Sequence, residues 1–151
     1  LKDSYEVSMR TDKTDAFELE EGTGLNLDFD KMAMAARQCP DVIPVAVQNT
    51  DTREIILVAY TNKEAMERSI QTRIATFWST SRNELWIKGE SSGNHFELIE
   101  MRVNCEQNSI VYIVRPHGEG ICHTKNSNGI ARDCFYRRLD MDSISLENID
   151  P

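Results

Sequence analysis

The stretch IPVAVQNTDTREIILVAY, residues 43–60, decides the fold because it holds two short apolar runs separated by a polar turn. The first run covers residues 43–48, and the second, residues 54–60, is richer in residue types that favour β-structure. Between them, Asn49-Thr50-Asp51 is typical of a turn. We therefore predict a β-hairpin, and with it a sheet whose neighbouring strands run antiparallel.

Helical patterns lie on both sides of this hairpin. Before it, apolar residues recur at helical spacing between a candidate N-cap at Asp28 and a stop at Pro40. After it, the capping-box form Thr61-Asn62-Lys63-Glu64 predicts a helix that ends near Thr72. Further strands are predicted over residues 75–80, 85–88, 95–103 and 110–115. The last of these is apolar on both faces, which favours a central place in the sheet.

Few helices and many hairpin signals predict one α+β domain with a mainly antiparallel sheet and two or three helices. We divide the chain into a polar N-terminal arm (1–24), the domain itself (25–140) and a C-terminal tail (141–151). The arm is acidic and has only scattered apolar residues, which predicts loose attachment. From residue 116 onward the pattern is loop-like, and loops held by a rigid sheet are where functional residues usually lie.

Composition narrows the classes of function. The formal net charge is -8, which argues against a general nucleic-acid binder, because such a protein needs a basic face. No apolar run approaches the roughly 20 residues that a membrane span requires. No secretory signal pattern opens the sequence. We therefore expect a soluble cytoplasmic protein with no nucleic-acid or membrane partner.

Three of the four cysteines lie in the last third of the chain. Without a secretory signal, metal binding or catalysis is a more natural use for them than disulfide formation. Cys105, Cys122 and Cys134 are candidate ligands of a catalytic zinc ion, which takes three protein ligands and keeps one position open. His123 adds a titratable group beside Cys122. The spacing alone is not a zinc signature and fits cysteines that are only small buried hydrophobes better, which is how we interpret Cys39.

Strand periodicity sets an expectation for Cys105. Ile99, Met101 and Val103 alternate with polar residues in the predicted strand 95–103. Period-two alternation would place Cys105 on the same face, at the end of the strand and on the core side.

The segment Trp86 to Asn94 has an unusual composition, with two glycines and two serines between predicted strands. Backbone N–H groups in such a turn can form an anion-binding nest, and Lys88 adds a positive charge. Arg82, a short distance upstream, has a side chain suited to bidentate contact with phosphate. The alternative is a polar hairpin turn with an exposed lysine.

Four blocks of sequence, in order, resemble the phosphoribosyl-AMP cyclohydrolase family. They are Ala59-Tyr60-Thr61-Asn62-Lys63-Glu64-Ala65, Phe77-Trp78-Ser79-Thr80-Ser81-Arg82, Leu85-Trp86-Ile87-Lys88-Gly89-Glu90-Ser91-Ser92-Gly93-Asn94, and Cys122-His123 with Cys134-Phe135-Tyr136-Arg137. The resemblance covers roughly residues 27 to 138, and the block around Lys88 is highly specific.

This resemblance implies a homodimer with zinc sites at the subunit interface and a reaction in histidine biosynthesis. The reaction is hydrolytic opening of the adenine ring of N1-(5-phosphoribosyl)-AMP between N1 and C6. The zinc cysteines fall on Cys105, Cys122 and Cys134, with His123 as the catalytic general base and acid. The implied substrate-binding residues are Ser81, Arg82, Trp86, Lys88, Gly89, Ser91, Ser92, Gly93 and Asn94.

The sequence departs from the family around the expected substrate. The family usually has three magnesium-binding aspartates around the first cysteine, where this chain has Asn104, Glu106 and Asn108. Two lost carboxylates should severely weaken a magnesium site. The loop from Lys125 to Arg132 is longer than usual, and Thr80 replaces an arginine.

These departures keep three interpretations open. The first is the cyclohydrolase of the family. The second is a diverged zinc hydrolase that acts on another purine-like nucleotide or heterocycle. The third is a nucleotide-binding protein without catalysis.

Overall fold

The predicted hairpin is present. Strands β1 (Ile43–Asn49) and β2 (Ile55–Thr61) pair antiparallel. In the turn between them, the side-chain Oδ1 of Asn49 accepts a hydrogen bond from the backbone N–H of Asp51 at 2.8 Å. The computed structural model describes residues 7, 15–90, 93–118 and 121–151.

Three helices and eight strands make up the described part of the chain. The helices are α1 (Ala16–Glu21), α2 (Lys31–Gln38) and α3 (Lys63–Thr72); the other strands are β3 (Thr76–Ser79), β4 (Glu84–Ile87), β5 (Phe96–Val103), β6 (Ile110–Pro116), β7 (Arg137–Asp140) and β8 (Ser145–Asn148). None of these helices has the length and apolar character needed to cross a bilayer.

The main sheet has four strands in the order β2-β1-β6-β5. Its outer pairs are antiparallel, but β1 and β6 run parallel, with Val45 opposite Ile110 and Asn49 opposite Val114. The remaining strands form the two-stranded pairs β3-β4 and β7-β8. The α+β class, the mainly antiparallel pairing and the central position of β6 are confirmed, whereas the parallel pair was not predicted.

The core lies on one face of this sheet, between it and the β3-β4 hairpin. The fully buried apolar side chains are Val45, Val47, Ile56, Ala65, Ala75, Phe77, Phe96, Tyr112 and Val114. Helix α3 is fastened to β3 by a buried serine: the Oγ of Ser69 accepts the backbone N–H of Thr76 at 2.9 Å and lies 3.0 Å from its carbonyl oxygen. Burial of these polar atoms costs little because they are paired.

Helix starts differ slightly from the prediction. Asp30 rather than Asp28 precedes α2, and Asn62 rather than Thr61 is the N-cap of α3. The Oδ1 of Asn62 accepts the backbone N–H of Ala65 at 2.9 Å. Thr61 is not available as a cap because it is still the last residue of β2.

The predicted position of Cys105 on the core side is wrong. A bulge between Leu98 and Glu100 shifts the register of β5, so Ile99 is 43% exposed and the alternation does not continue through the strand. Cys105 lies beyond the end of β5, exposed in the turn that leads to β6.

Residues 15–24, which we call the strap, are part of the predicted N-terminal arm. The strap contains α1 and is held by side chains that precede and begin β7. The Tyr136 hydroxyl donates to the carbonyl of Glu20 at 2.7 Å, and the Arg137 guanidinium donates to the carbonyls of Leu19 and Gly22. These side chains hold the described end of the arm against the domain.

The segment predicted as a C-terminal tail contributes β8. In addition, the backbone N–H of Leu146 donates to the carbonyl of Thr23, and Gly24 forms an isolated bridge with Ser145. The strap and β8 therefore stabilise each other. The division into arm, domain and tail stays a prediction, since most of the arm lies outside the described residues.

Arg132 is the most buried charged side chain that contacts the strap, with 4% of its surface exposed. Its guanidinium donates to Glu21 at 2.6 Å and to the carbonyl of Asp150 at 2.8 Å, and it lies 4.6 Å from the ring centroid of Tyr136. It therefore joins the strap, the C-terminal segment and the chain just before β7.

We expect Arg132→Ala to lower the free energy of unfolding by about 2 kcal/mol, because it leaves a partly buried carboxylate and a carbonyl without their partner. Urea denaturation measures this change. Arg138→Ala is the matched control, since Arg138 pairs with Glu147 on the surface and its loss should leave the midpoint nearly unchanged. Equal effects of the two substitutions would contradict the anchoring role.

Candidate active site

A cavity of about 560 Å³ opens beside the β3-β4 hairpin, which is within the usual size range of small-molecule sites. It is lined by side chains from β2, from β4 and the turn after it, and from the loops between β6 and β7. The lining residues are Leu57, Trp86, Lys88, Asn94, Ile121, Cys122, His123, Lys125, Gly129, Ala131 and Cys134.

Two of the three predicted zinc cysteines meet in this cavity. The Cys122 thiol accepts a hydrogen bond from the Thr124 hydroxyl at 3.3 Å, and the backbone N–H of Cys134 donates to the carbonyl of Ile56 in β2. The pKa of the Cys134 thiol is raised to about 12, first by burial and then by the neighbouring Cys122. A buried thiol with a raised pKa loses its proton readily only beside a cation, so Cys134 with Cys122 next to it suits a metal ion.

Lys88 is a cation that lies close to the two thiols. Burial lowers the pKa of its ammonium group, while Cys134 and Cys122 act in the opposite direction. Its Nζ also lies 5.8 Å from the ring centroid of Phe96. The side chain is therefore held at the cavity wall rather than extended into solvent.

His123 lies at the cavity mouth and contacts groups on two sides. Its Nδ1 is 3.9 Å from the Sγ of Cys122, and its Nε2 is 2.5 Å from Oε1 of Glu20 in the strap. Glu20 lies about a hundred residues away in the sequence, and no pattern in the strap marks it as functional. This contact was therefore not predicted.

Asn94 is fixed between two tight turns. Gly89 and Gly118 have φ values of 80° and 87°, which favour glycine. A Cβ at Gly89 would lie 2.2 Å from the backbone carbon of Asn94, and one at Gly118 would lie 1.7 Å from its Oδ1. Gly89, in the predicted phosphate loop, thus has a steric role because it lets the backbone of Asn94 pass close by, while Gly118 leaves room for the Asn94 side chain.

The other predicted substrate residues are divided between three places. Ser81 lines a smaller cavity of about 160 Å³ that shares Leu57 and Trp86 with the main one. Arg82 lines neither cavity, and its guanidinium contacts Ser79 and Glu84 on the surface. Ser91 and Ser92 lie outside the described residues, and Gly93 is exposed.

The structure does not bring the third cysteine to the other two. Cys105 is exposed in the β5-β6 turn and is absent from the cavity lining. Within the described ranges, no three His, Cys, Asp or Glu side chains are grouped so that they hold a metal ion. The three cysteines therefore do not converge within one chain, and the zinc site stays a prediction.

The residues at the expected magnesium positions bond to one another. The Oδ1 of Asn104 accepts the backbone N–H groups of Asn108 and Ser109, and its amide donates to Oδ1 of Asn108 at 2.7 Å. The amide of Asn108 in turn donates to Glu106. Because hydrogen bonds within the turn already use the amide oxygens, these three residues do not fit a hard divalent cation.

The long loop forms part of the cavity wall. Lys125 and Ala131 form an isolated β-bridge, and the Oδ1 of Asn126 accepts the backbone N–H groups of Asn128 and Ile130. This loop thereby brings Lys125 to the cavity. The sequence showed that the loop is long but did not identify Lys125 as a binding residue.

Comparison with known proteins gives a consistent result. A family model described as phosphoribosyl-AMP cyclohydrolase matches residues 57–136. A protein of that name from Archaeoglobus fulgidus is 38% identical over 120 residues, covering 80% of this chain and 98% of the relative. One from Caulobacter vibrioides is 44% identical over 110 residues, covering 72% and 76% of the two chains. One from Nitrosopumilus maritimus is 40% identical over 114 residues, covering 76% and 94%.

Proposed function

Because the chain belongs to the phosphoribosyl-AMP cyclohydrolase family, we propose that it hydrolyses N1-(5-phosphoribosyl)-AMP, a step of histidine biosynthesis, in the cavity described above. The reaction opens the adenine ring between N1 and C6. The observation that carries this proposal is that the cavity holds two thiols, a histidine and two lysines, since these groups serve metal binding, proton transfer and phosphate binding.

The cavity walls suit a phosphorylated purine nucleotide. The indole of Trp86 offers an aromatic surface against which a base stacks favourably. Lys88 and Lys125 supply positive charge for phosphate in a chain whose net charge is -8, so the local charge opposes the overall one. Asn94 adds a fixed amide that can hydrogen-bond a ribose hydroxyl or a phosphate oxygen.

Zinc is the metal that the donor set favours, because thiolates are preferred zinc ligands. Cys122 and Cys134 would hold it together with Cys105 of a second copy. Zinc supplies the Lewis acidity that activates water for hydrolysis. The proposal contains no magnesium, since Asn104, Glu106 and Asn108 do not fit it.

His123 is the residue that moves protons in this proposal. Its imidazole accepts a proton from the attacking water at C6 and passes it to N1 as the C6–N1 bond breaks. General acid–base catalysis of this kind contributes about 10²–10⁴-fold to the rate.

A homodimer accounts for the separation of the cysteines. The outer face of the main sheet, opposite the core, has an apolar centre formed by Pro44, Ala46, Val58 and Val111, and Val58 is 50% exposed. A groove over this face continues to Val103 and Asn104, next to Cys105. A second copy that covers this face would bury the apolar centre of the sheet. Val103 and Asn104 would then lie in the interface, next to Cys105.

A diverged substrate is the second candidate. The observation that favours it is the wall formed by Lys125, Gly129 and Ala131, because residues of the longer loop contact whatever occupies the cavity. Under this interpretation the zinc site and His123 keep their roles, and another purine-like nucleotide is hydrolysed instead.

Turnover of N1-(5-phosphoribosyl)-AMP tests the main proposal directly. We expect the absorbance change of ring opening to appear with purified protein and to be abolished by a zinc chelator. His123→Ala should lower kcat by about 10²–10⁴-fold with the zinc content unchanged. Absence of turnover, with hydrolysis of a different purine nucleotide, would replace this proposal by the second candidate.

Mixed dimers test whether two chains share one zinc site. We expect Cys105→Ser and Cys134→Ser proteins to lack zinc when each is purified alone. Unfolding them together and refolding the mixture with zinc should restore metal binding and activity, because mixed dimers contain one site with all three cysteines. Elemental analysis measures the zinc, and Cys39→Ser is the matched control, since Cys39 is buried and does not line the cavity. No recovery in the mixture would exclude a shared site.

Lys125→Ala tests the role of the long loop in binding. We expect KM to rise by about tenfold with a smaller change in kcat, because a charge-assisted contact to phosphate is lost. Lys63→Ala is the matched control, since the Lys63 side chain is 90% exposed on α3. Equal KM values for the two variants would show that Lys125 does not contact the substrate.

A further inference from the structure

The strap reaches the proposed catalytic histidine. Oε1 of Glu20 lies 2.5 Å from Nε2 of His123, although the two residues are 103 positions apart. A carboxylate only accepts hydrogen bonds, so Nε2 of His123 is the donor. The strap lies outside residues 57–136, the region that the family model matches.

The position of Glu20 is set by hydrogen bonds of its own carbonyl and of the residues before and after it. Its own carbonyl accepts the Tyr136 hydroxyl at 2.7 Å, and the next residue, Glu21, pairs with the buried Arg132 at 2.6 Å. The carbonyl of Leu19 accepts the Arg137 guanidinium. Three consecutive residues of the strap are therefore fastened to the segment 132–137, which also carries the second cavity cysteine.

This contact determines which ring nitrogen of His123 bears the proton. A neutral imidazole has one N–H donor and one acceptor nitrogen, and the partner of one nitrogen fixes the state of the other. With Nε2 donating to Glu20, Nδ1 is the acceptor, and Nδ1 is the nitrogen that lies 3.9 Å from the Cys122 sulfur. The basic nitrogen thus faces the cavity side of the ring.

We propose that Glu20 is a positioning residue for His123: its carboxylate holds the Nε2-protonated tautomer and keeps Nδ1 directed to the cavity. Glu20 itself does not touch the substrate. The consequence for catalysis rests on the proposed function, but the consequence for the tautomer does not. Partners that orient a metal-bound histidine commonly change activity by about 10–100-fold when removed, and we expect an effect of similar size for this proton-transferring histidine.

Long-range ¹H–¹⁵N NMR spectra of the protein as purified, at a fixed alkaline pH, measure the tautomer. The chain has three histidines, so His123→Asn assigns the signals. We expect the Nε2-protonated pattern in the wild type, a mixture of tautomers in Glu20→Ala, and the wild-type pattern in Glu20→Gln, whose side-chain carbonyl still accepts the N–H. Glu18→Gln, an exposed carboxylate on the same helix, is the matched control and should change nothing.

Kinetics separate positioning from a merely structural effect. We expect Glu20→Ala to lower kcat by about tenfold or more with little change in KM, in zinc content or in the urea midpoint, and Glu20→Gln to recover most of the loss. An unchanged tautomer in Glu20→Ala, or a higher kcat because the strap had been obstructing the site, would overturn the proposal. If the wild type lacks turnover, the proposed function fails while the NMR result still decides the role of Glu20.

Discussion

The parallel pairing of β1 with β6 is the constraint on which the rest of the structure depends. It joins two halves of the chain that the local hairpins leave separate, and it places Val45 and Val47 of one half beside Ile110 and Tyr112 of the other. Once these strands are paired, the carbonyl of Ile56 in β2 is positioned to accept the N–H of Cys134. The cavity is thus a consequence of one long-range pairing, whose entropic cost the buried apolar side chains must offset.

Local signals in the sequence predicted the elements well. The hairpin at 43–60, helix α3 and the strands up to residue 116 all follow from residue patterns within a few positions of one another. The β1-β6 pair was not predicted, because no local pattern encodes the partner of an apolar strand. The bulge at Ile99 was also not predicted. One extra residue reverses which side chains face the core, and the alternation of apolar and polar residues in the sequence does not reveal it.

The site was predicted in part, for a related physical reason. Motifs identified Cys122, His123, Cys134, Lys88 and Asn94, and the structure brings all five to one cavity. The sequence did not identify Lys125 and Glu20, because the roles proposed for them arise from tertiary contacts. In the proposed homodimer, Cys105 would come from a second copy, and a site divided in this way has no complete representation in either chain. Metal binding and association would then be thermodynamically linked, each favouring the other.

The close fit of Asn94 between Gly89 and Gly118 also governs how this cavity can evolve. A Cβ at either glycine would lie 2.2 Å or less from an atom of Asn94, and at Gly89 that atom belongs to the backbone, so a smaller side chain at position 94 would not make room there. At Gly129 in the long loop, a Cβ would meet no neighbouring atom within 4 Å, so there only the positive φ of 76° disfavours a side chain. Packing therefore constrains how the cavity can evolve around Asn94, whereas at Gly129 the constraint lies in the backbone conformation alone.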